Sequence, residues 1–272
     1  MFSDYSQLEL RILAHLSSDS ALVQSLREGQ DVFRAMAGQI NNCQEGEVTD
    51  LMRQQAKQIV YGVIYGIGDK SLADQLGVET MEGVRFMEKF KSKYPGVRTF
   101  LQDCVVAARQ TGHVETLSGR RRRLADIHHS NAARRAATER QAVNTRVQGS
   151  AADLVKMAMV NIDRKIEEVW PQCRPLKFTR ARGLQWRPEE VTGAWLVLQL
   201  HDELIYEVSG EEVLQAAIIV KEGMEKALGL SVPTPVRIKV GTSWGELQDF
   251  RVEEHVGVSQ LKTKEMKQKP RL

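Results

Sequence analysis

The stretch that decides the fold class is WLVLQLHDELIYEV at residues 195–208. It consists of two apolar, strand-like runs that are separated only by His201, Asp202 and Glu203. This spacing predicts a β-hairpin that carries its acidic residues at the tip, and the sheet containing it is therefore predicted to be antiparallel.

Helical periodicity dominates the sequence on both sides of this hairpin. The predicted helices cover residues 8–16, a short segment around Leu22 and Leu26, 32–39, 49–65, 80–111 with a break at 94–96, 131–170 and 211–228. A strand end at 2–5 and a final strand at 236–241 complete the pattern. Together these elements predict an α+β fold.

The 272-residue chain is 42% hydrophobic and 27% charged, a composition typical of one large or two smaller globular domains. Its cysteines, Cys43, Cys104 and Cys173, are too few and scattered for a disulfide framework and fit a reducing compartment. No run approaches the roughly 18 apolar residues that cross a bilayer. We therefore expect an intracellular protein with no membrane partner.

Positive charge is concentrated in residues 119–146, where eight arginines and two acidic residues give a net charge of +6. In a chain of net charge +3, such a segment indicates a phosphate-backbone surface. A solvated, salt-bridged helix face is an equally weighted alternative. Two further basic segments, 171–193 and 253–272, are predicted to be an inserted loop, which either holds DNA or is a spacer, and a disordered tail.

The helix predicted from Thr49 carries Arg53, Lys57, Tyr61 and Tyr65 at every fourth position. Arg53 and Tyr61 lie roughly 12 Å apart along such a helix, comparable to an extended nucleoside triphosphate. The cations and the positive end of the helix suit phosphates, and an aromatic ring suits sugar and base. An amphipathic helix with a mixed surface is the alternative.

Two acidic residues, Asp4 at the first strand end and Asp202 at the hairpin tip, are candidate ligands of divalent metals. Nucleotidyl transfer uses carboxylates that hold two metals and cations that neutralise phosphate. If the two strands are antiparallel neighbours, both carboxylates could share metals spaced roughly 3.5 to 4 Å apart. Ordinary acidic turn residues are the alternative.

Three segments resemble the motifs of family-A (Pol I-like) DNA polymerases, in the family's order. DYSQLELR at 4–11 resembles motif A, RQQAKQIVYGVIYG at 53–66 resembles motif B, and QLHDEL at 199–204 resembles motif C. GRRR at 119–122 and QGSAAD at 148–153 are also similar to family segments. The resemblance covers about residues 3–250 and implies a polymerase palm with an antiparallel sheet and mostly helical fingers.

The resemblance implies a metal site and a nucleotide site. Asp4 and Asp202 would ligate two Mg²⁺ ions, for which Mn²⁺ could substitute, with help from the Tyr5 carbonyl, and Glu203 would be an accessory catalytic carboxylate. The implied nucleotide-binding residues are Gln7, Glu9, Arg53, Lys57, Tyr61 and Tyr65.

Individual roles within the nucleotide site follow from the same resemblance. Arg53 and Lys57 would bind the triphosphate, with Lys57 also a catalytic general acid toward pyrophosphate. Glu9 would exclude a 2′-hydroxyl, and Tyr65 would guard the template side. The Tyr61 hydroxyl could replace the 3′-hydroxyl that a chain terminator lacks, so easy dideoxynucleotide incorporation is predicted.

DNA contacts are expected on a second helix. Arg140, Asn144 and Gln148 lie one helical turn apart and suit the minor-groove acceptors that all base pairs share. His201 is predicted to contact the primer end, with an ordinary turn histidine as the alternative. Arg120 and Arg121 are predicted to bind DNA as well.

Two departures separate this chain from the bacterial pattern: Phe33 stands where those members have His near the triphosphate, and Arg146 replaces an apolar or Pro position. Phe33, Tyr61 and the insertion before motif C are closer to the animal nu and theta members, and nu is favoured. The expected domains are palm at 1–18 and 141–252 and fingers at 19–140.

The sequence leaves three functional hypotheses. The first is a template-directed polymerase core acting on primer–template DNA and dNTPs, which suggests nuclear repair or damage tolerance, with any protein partners unidentified. The second is a catalytically weak or inactive DNA-binding or regulatory fragment, because the thumb and the N-terminal palm are expected to be missing. The third is a two-metal nuclease, which leaves the Arg53–Tyr65 stripe without a purpose.

Overall fold

The computed structural model describes residues 1–171 and 193–255 and confirms the α+β prediction. The helices are α1 (Leu8–Ser17), α2 (Ser20–Arg27), α3 (Val32–Asn41), α4 (Asp50–Tyr65), α5 (Asp69–Leu76), α6 (Thr80–Lys93), α7 (Pro95–Thr111), α8 (Ala132–Val169) and α9 (Val213–Glu225). The strands are β1 (Phe2–Tyr5), β2 (His113–Glu115), β3 (Arg121–Arg123), β4 (Ala194–Leu200), β5 (Glu203–Val208), β6 (Val236–Val240) and β7 (Gln248–Asp249). Within these ranges, no helix combines the length and the apolar character that crossing a membrane requires.

The chain divides into two compact units. The sheet unit takes the described parts of 1–6, 154–229 and 234 onward. The helical unit takes Gln7–Asp153 with Leu230–Pro233. The assignment of palm and fingers to residue ranges stays a prediction.

A five-stranded antiparallel sheet, in the order β4-β5-β1-β6-β7, forms the centre of the sheet unit. Residues alternate along β1: Ser3 and Tyr5 are buried, whereas Phe2 and Asp4 are only half-buried. The Tyr5 hydroxyl donates to the carbonyl of Met224 on α9 at 2.7 Å. Helix α9 therefore covers one face of the sheet, and Asp4 belongs to the opposite face.

Side-chain caps start three helices of the helical unit. Asp19 accepts from the Leu22 amide at 3.0 Å, and Thr49 accepts from the Met52 amide at 3.3 Å. Asp31 caps α3 in the same way. These caps satisfy amides that a helix start leaves unpaired, and the predicted start of α4 at Thr49 is confirmed.

Some elements differ from the sequence predictions. The β2–β3 hairpin, α5 and β7 were not predicted. Glu203 is the first residue of β5 rather than part of the hairpin tip, which leaves a two-residue turn at His201 and Asp202. Residues 252–255 are helical, whereas most of the predicted loop at 171–193 and the rest of the predicted tail lie outside the described residues.

Candidate active site

The sheet unit gathers the predicted carboxylates on one face. Strand β1 pairs with β5 and β6, so Asp4 stands opposite Glu203 on one side and Arg237 on the other. Cross-strand partners point to the same side of a sheet with Cβ atoms about 5 Å apart. Asp202 lies in the turn directly before Glu203, and both carboxylates act electrostatically on Asp4, so the structure brings these three acidic residues together.

The surroundings of Asp4 disfavour the charged form of its carboxylate. Burial raises its pKa to about 6, and the Asp202 and Glu203 carboxylates add to the rise. Arg237 and Lys239 on β6 act in the opposite direction without cancelling it. The fold therefore keeps a group of acidic side chains that a nearby positive charge would stabilise.

The turn that presents Asp202 has an unusual backbone. His201 adopts a left-handed conformation with φ 55°, and its carbonyl accepts from the Gln199 side chain at 2.6 Å. This conformation costs a non-glycine residue about 1 kcal/mol. Backbone strain of this kind is typical of functional positions. His201 is exposed and lies next to Asp202 in the turn.

In the described part of the chain, no group of three or more His, Cys, Asp or Glu side chains forms a compact metal-binding cluster. Asp4, Asp202 and the Tyr5 carbonyl would supply only part of a coordination shell. They are nevertheless hard oxygen donors, the type that Mg²⁺ prefers. In proteins Mg²⁺ commonly binds one or two carboxylates and takes further ligands from substrate phosphates. Together with the raised pKa of Asp4, this donor set fits Mg²⁺.

The helical unit carries the predicted cationic stripe on α4. Arg53 Nε donates to Asp31 Oδ2 at 2.6 Å, and its guanidinium carbon lies 5.6 Å from the centre of the Phe33 ring. Phe33 also lies 6.0 Å from the Tyr61 ring. Phe33 thus supports Arg53 and Tyr61 through ring contacts, where a histidine would offer a hydrogen bond.

The stripe continues through an aromatic pair. The Tyr61 and Tyr65 rings stack at 5.9 Å, and Lys57 Nζ lies 6.0 Å from the Tyr61 ring centre. The Tyr65 hydroxyl donates to the Glu9 carboxylate on α1. Burial raises the pKa of Tyr65, as does this hydrogen bond, while Gln148 on α8 acts in the opposite direction. Glu9, Tyr65 and Gln148, predicted separately, are therefore brought together.

Gln7 makes the sharp turn into α1. Its φ of 56° and ψ of 44° are left-handed, and its side chain does not cap the helix. Ser18 at the other end of α1 is also left-handed, with φ 50°. Gln7 therefore holds a strained position two residues before Glu9, within motif A.

The arginines of the basic segment are mostly engaged within the helical unit. The observed partners are Asp153 and the Gly149 carbonyl for Arg120, Glu115 for Arg121, Thr145 for Arg122, Asp126 for Arg134, the His129 carbonyl for Arg135 and the Glu115 carbonyl for Arg146. Among the described residues, Arg123 and Arg140 show no hydrogen bond or ion pair. The salt-bridged alternative thus describes much of this segment, although its guanidinium groups are largely exposed.

Helix α8 carries the predicted minor-groove residues. A Cβ at Gly66 would lie 2.9 Å from Arg140 Cγ, so the glycine lets Arg140 pack against the end of α4. The Asn144 amide oxygen is buried and has no hydrogen-bond partner among the residues described.

Sequence reasoning missed two contributors to the site, Asp31 and Arg237. Asp31, which caps α3, carried no prediction from the sequence, and Arg237 lies in a strand without a recognised motif. The Asp-x-Phe spacing at the start of α3 was the available signal for Asp31, because it places a carboxylate beside Phe33. No signal in the sequence paired Arg237 with Asp4.

The comparisons with known proteins agree with this geometry. The family model described as "DNA polymerase family A" matches residues 1–246. DNA polymerase theta of Mus musculus is 47% identical over 262 residues, covering 92% of this chain and 10% of that protein. DNA polymerase I of Lactococcus lactis subsp. lactis is 38% identical over 245 residues, covering 90% of this chain and 26% of that protein.

One solved structure extends the likeness to three dimensions. It is the POL domain of Pol1 from M. smegmatis in complex with DNA primer-template and dNTP, with a TM-score of 0.79 and 37% identity. The match covers 89% of this chain and 39% of that chain. DNA polymerase theta of Drosophila melanogaster is 38% identical over 250 residues, so the mouse and fly relatives are both theta proteins, and the sequence-based preference for nu is corrected to theta. The chain spans about a tenth to a quarter of the length of these curated relatives.

Proposed function

Because this chain belongs to DNA polymerase family A, we propose that it is the nucleotide-adding core of a DNA-directed DNA polymerase. It extends the 3′ end of a primer by one templated deoxynucleotide at a time. The primer 3′-hydroxyl oxygen attacks the α-phosphorus of a dNTP, a new phosphodiester bond forms, and pyrophosphate leaves.

The observation that carries this proposal is the register of β1 against β5. It sets Asp4 opposite Glu203 and next to the turn residue Asp202, on the sheet face that α9 does not cover. Three neighbouring carboxylates, with the pKa of Asp4 raised to about 6, are unfavourable unless cations bind there. A turn with only a structural role would not need three carboxylates close together.

Asp4, Asp202 and the Tyr5 carbonyl would hold two Mg²⁺ ions, with Mn²⁺ as a substitute. Bound metal would lower the pKa of the 3′-hydroxyl and neutralise charge on the phosphates. Glu203 would add negative charge beside the ligands. The left-handed His201 would meet the primer end from the same turn.

The stripe on α4 would hold the incoming nucleotide. Arg53 and Lys57 would bind the triphosphate, and Lys57 would donate a proton to the departing pyrophosphate. The hydrogen bond between Tyr65 and Glu9 would fix Glu9 where it excludes a ribose 2′-hydroxyl. Gln7, in its strained turn, would contact the same nucleotide.

Helix α8 and the β2–β3 hairpin would hold primer–template DNA. Arg140, Asn144 and Gln148 would check the shape of the base pair at minor-groove atoms, and the exposed Arg120 and Arg121 would meet phosphates. We also propose a theta-like polymerase rather than a nu-like one, acting in nuclear DNA repair or translesion synthesis. The identity to the mouse theta protein supports this subgroup.

Primer extension tests the proposal. The wild-type chain, Asp202→Ala and Asp249→Ala are incubated with a labelled primer–template, all four dNTPs and Mg²⁺. Asp249 is a matched control, because it is an exposed carboxylate on β7 of the same sheet. We expect extension by wild type and Asp249→Ala, and a loss of at least about 1000-fold for Asp202→Ala.

Two outcomes would contradict the proposal. Extension that persists in Asp202→Ala would remove the carboxylate site from the chemistry. DNA binding without any extension by the wild-type chain would favour a non-catalytic DNA-binding role.

A further inference from the structure

The tip of the β2–β3 hairpin, residues 116–120, is attached to α8 through Asp153. Arg120 Nε donates to one carboxylate oxygen of Asp153 at 2.9 Å, and the Ser118 hydroxyl donates to the other at 2.5 Å. Only 10% of the Asp153 side chain is exposed. Asp153 therefore uses both oxygens to hold two residues of the tip.

Close backbone contacts fix the same attachment. Arg120 Nη2 donates to the Gly149 carbonyl at 3.1 Å, and the Leu117 amide donates to the Ser150 hydroxyl at 2.9 Å. A Cβ at Gly149 would lie 2.8 Å from Thr116 Cγ2, which is closer than real Cβ contacts. A Cβ at position 149 would require the Thr116 side chain to move, so the glycine leaves room for this contact.

The tip is also internally ordered. The Gly119 amide donates to the Thr116 carbonyl at 3.0 Å, and the Arg120 amide donates to the Thr116 hydroxyl at 3.1 Å. Gly119 has φ 81°, a conformation that glycine adopts without strain. Arg120 thus leaves a rigid turn in one defined direction.

The guanidinium of Arg120 is held on one edge and open on the other. Its Nε and Nη2 are engaged by Asp153 and Gly149, while its Nη1 has no hydrogen-bond partner in the part of the chain that the structure describes. Half of the side chain is exposed, at 51%. Burial acts to raise the pKa of Asp153, but hydrogen bonds from Ser118, Thr116 and Arg120 hold it below its usual value, so its carboxylate is ionised at neutral pH.

We propose that Asp153 is a positioning residue, which fixes the Arg120 guanidinium so that its Nη1 edge is presented to a DNA phosphate. This inference rests on the proposed DNA-binding function. A freely rotating arginine loses side-chain entropy when it binds a phosphate, whereas an arginine already held by a carboxylate loses less.

For removal of the Asp153 charge, this role predicts a change in DNA affinity opposite to the change that simple electrostatics predicts. Removing a carboxylate near a DNA-binding surface should strengthen binding, because one repulsive charge is lost. If Asp153 acts through Arg120, removing its charge weakens binding instead. The loss should disappear when Arg120 is absent.

Equilibrium binding of a fluorescent primer–template to the full chain, over a range of salt concentrations, tests this. The variants are Asp153→Asn, Asp153→Glu, Arg120→Ala and the double variant Arg120→Ala/Asp153→Asn. Glu139→Gln is the matched control, because it removes a carboxylate from the same helix whose partner, Arg109, lies outside the basic segment. Thermal unfolding of every variant accompanies the titrations.

We expect about 5-fold weaker binding for Asp153→Asn and 5- to 10-fold weaker binding for Arg120→Ala, with a salt slope lower by about one. The double variant should bind like Arg120→Ala alone, Asp153→Glu should recover part of the affinity, and Glu139→Gln should bind as well as wild type or better. If Asp153→Asn does not fold, Ser118→Ala, which removes one bond to Asp153, should show a smaller loss that also depends on Arg120.

Unchanged or tighter binding by Asp153→Asn, or losses that multiply in the double variant, would overturn the proposal. Failure of the polymerase function would look different. An Asp153-dependent affinity in a chain that never extends a primer would contradict the polymerase function and leave this inference standing. A wild-type chain that does not bind DNA would overturn both.

Discussion

The two charged surfaces of this chain are organised in opposite ways. On the sheet, Asp4 is placed by backbone register beside Glu203 and Asp202, and the charges repel one another. On α4, by contrast, Arg53 is already paired with Asp31, and the rings of Phe33, Tyr61 and Tyr65 support the stripe.

The acidic surface thus carries a charge repulsion that a bound cation can relieve, whereas on the basic surface Arg53 is already paired with Asp31, a partner that a phosphate can replace. Asp4 and Glu203 are fixed by strand register and cannot move apart without disturbing the sheet, so either protonation of Asp4 or a bound cation relieves the repulsion. Side chains on a helix surface can instead exchange an internal partner for a phosphate at little cost. Substitution of an acidic residue on the sheet should therefore raise stability while it lowers activity, whereas substitution on the α4 surface should mainly change nucleotide binding.

The largest expected effect comes from Asp4→Asn, which separates activity from stability. Primer extension should fall by at least about 1000-fold, because a proposed metal ligand is lost. In metal-free buffer at pH 7.5, however, the variant should be more stable than wild type by about 1 kcal/mol, after allowance for the solvent that screens a half-buried carboxylate.

The pH dependence fixes the sign of this stability difference. The folded pKa of Asp4, about 6, is higher than its usual value of 3.8, so folding favours the protonated form. Wild type should therefore lose stability relative to Asp4→Asn as pH rises from about 4 to about 6, and Mg²⁺ should reduce the gap. Thermal melts of both proteins measure it, and a variant that is less stable than wild type at pH 7.5 would contradict the account.

The sheet hairpin and helix α4 could be predicted because their signals are local. Two apolar runs, separated only by His201, Asp202 and Glu203, predict a hairpin, and Thr49 with Gly66 bounds a periodic helix. The β2–β3 hairpin was missed because each strand is three residues long and Arg121–Arg123 shows no alternation.

The supporting contacts of the site could not be predicted for a different reason. Arg53 and Asp31 are 22 positions apart, and Arg120 and Asp153 are 33 apart. Such pairs arise from tertiary packing, which residue spacing does not encode. The motifs thus indicated candidate residues for the chemistry, and the structure adds the residues that contact these candidates.

The second prediction concerns the aromatic part of the stripe. Tyr61→Phe should increase discrimination against dideoxynucleotides by about 10- to 100-fold, because it removes the hydroxyl proposed to replace a missing 3′-hydroxyl. Ring contacts with Phe33 and Tyr65 remain, so the melting temperature should change little. Competition between dCTP and ddCTP measures the ratio, and equal discrimination by both proteins would refute the role of the hydroxyl.

The third prediction weakens the internal partner of Arg53. Asp31→Asn keeps a side chain that caps α3 well but removes the charge that holds Arg53. The KM for dNTP should fall by about 2- to 5-fold, in line with the strength of a partly exposed ion pair.

Steady-state kinetics compare this variant with Asp50→Asn, which loses a carboxylate paired with Arg34 at 3.2 Å at the start of α4. The control should leave KM unchanged. A KM that rises in Asp31→Asn would instead mean that Asp31 orients Arg53 for the triphosphate.

The smallest expected effect is at Gln7. Gln7→Gly should relieve left-handed strain and stabilise the chain by less than about 1 kcal/mol, while nucleotide incorporation falls. Ser18→Gly, at the other end of α1, should give a similar gain in stability with unchanged incorporation. Denaturant unfolding and single-turnover kinetics test the pair, and equal activity of both variants would remove Gln7 from the nucleotide site.

The central claim is that this chain adds nucleotides under the direction of a template. Single-turnover incorporation should be measured for each of the four dNTPs opposite each of the four template bases, in Mg²⁺. We expect rapid addition of the complementary nucleotide in every case and slow addition of the other three. Incorporation that ignores the template base, or none with any of the sixteen pairs, would contradict it.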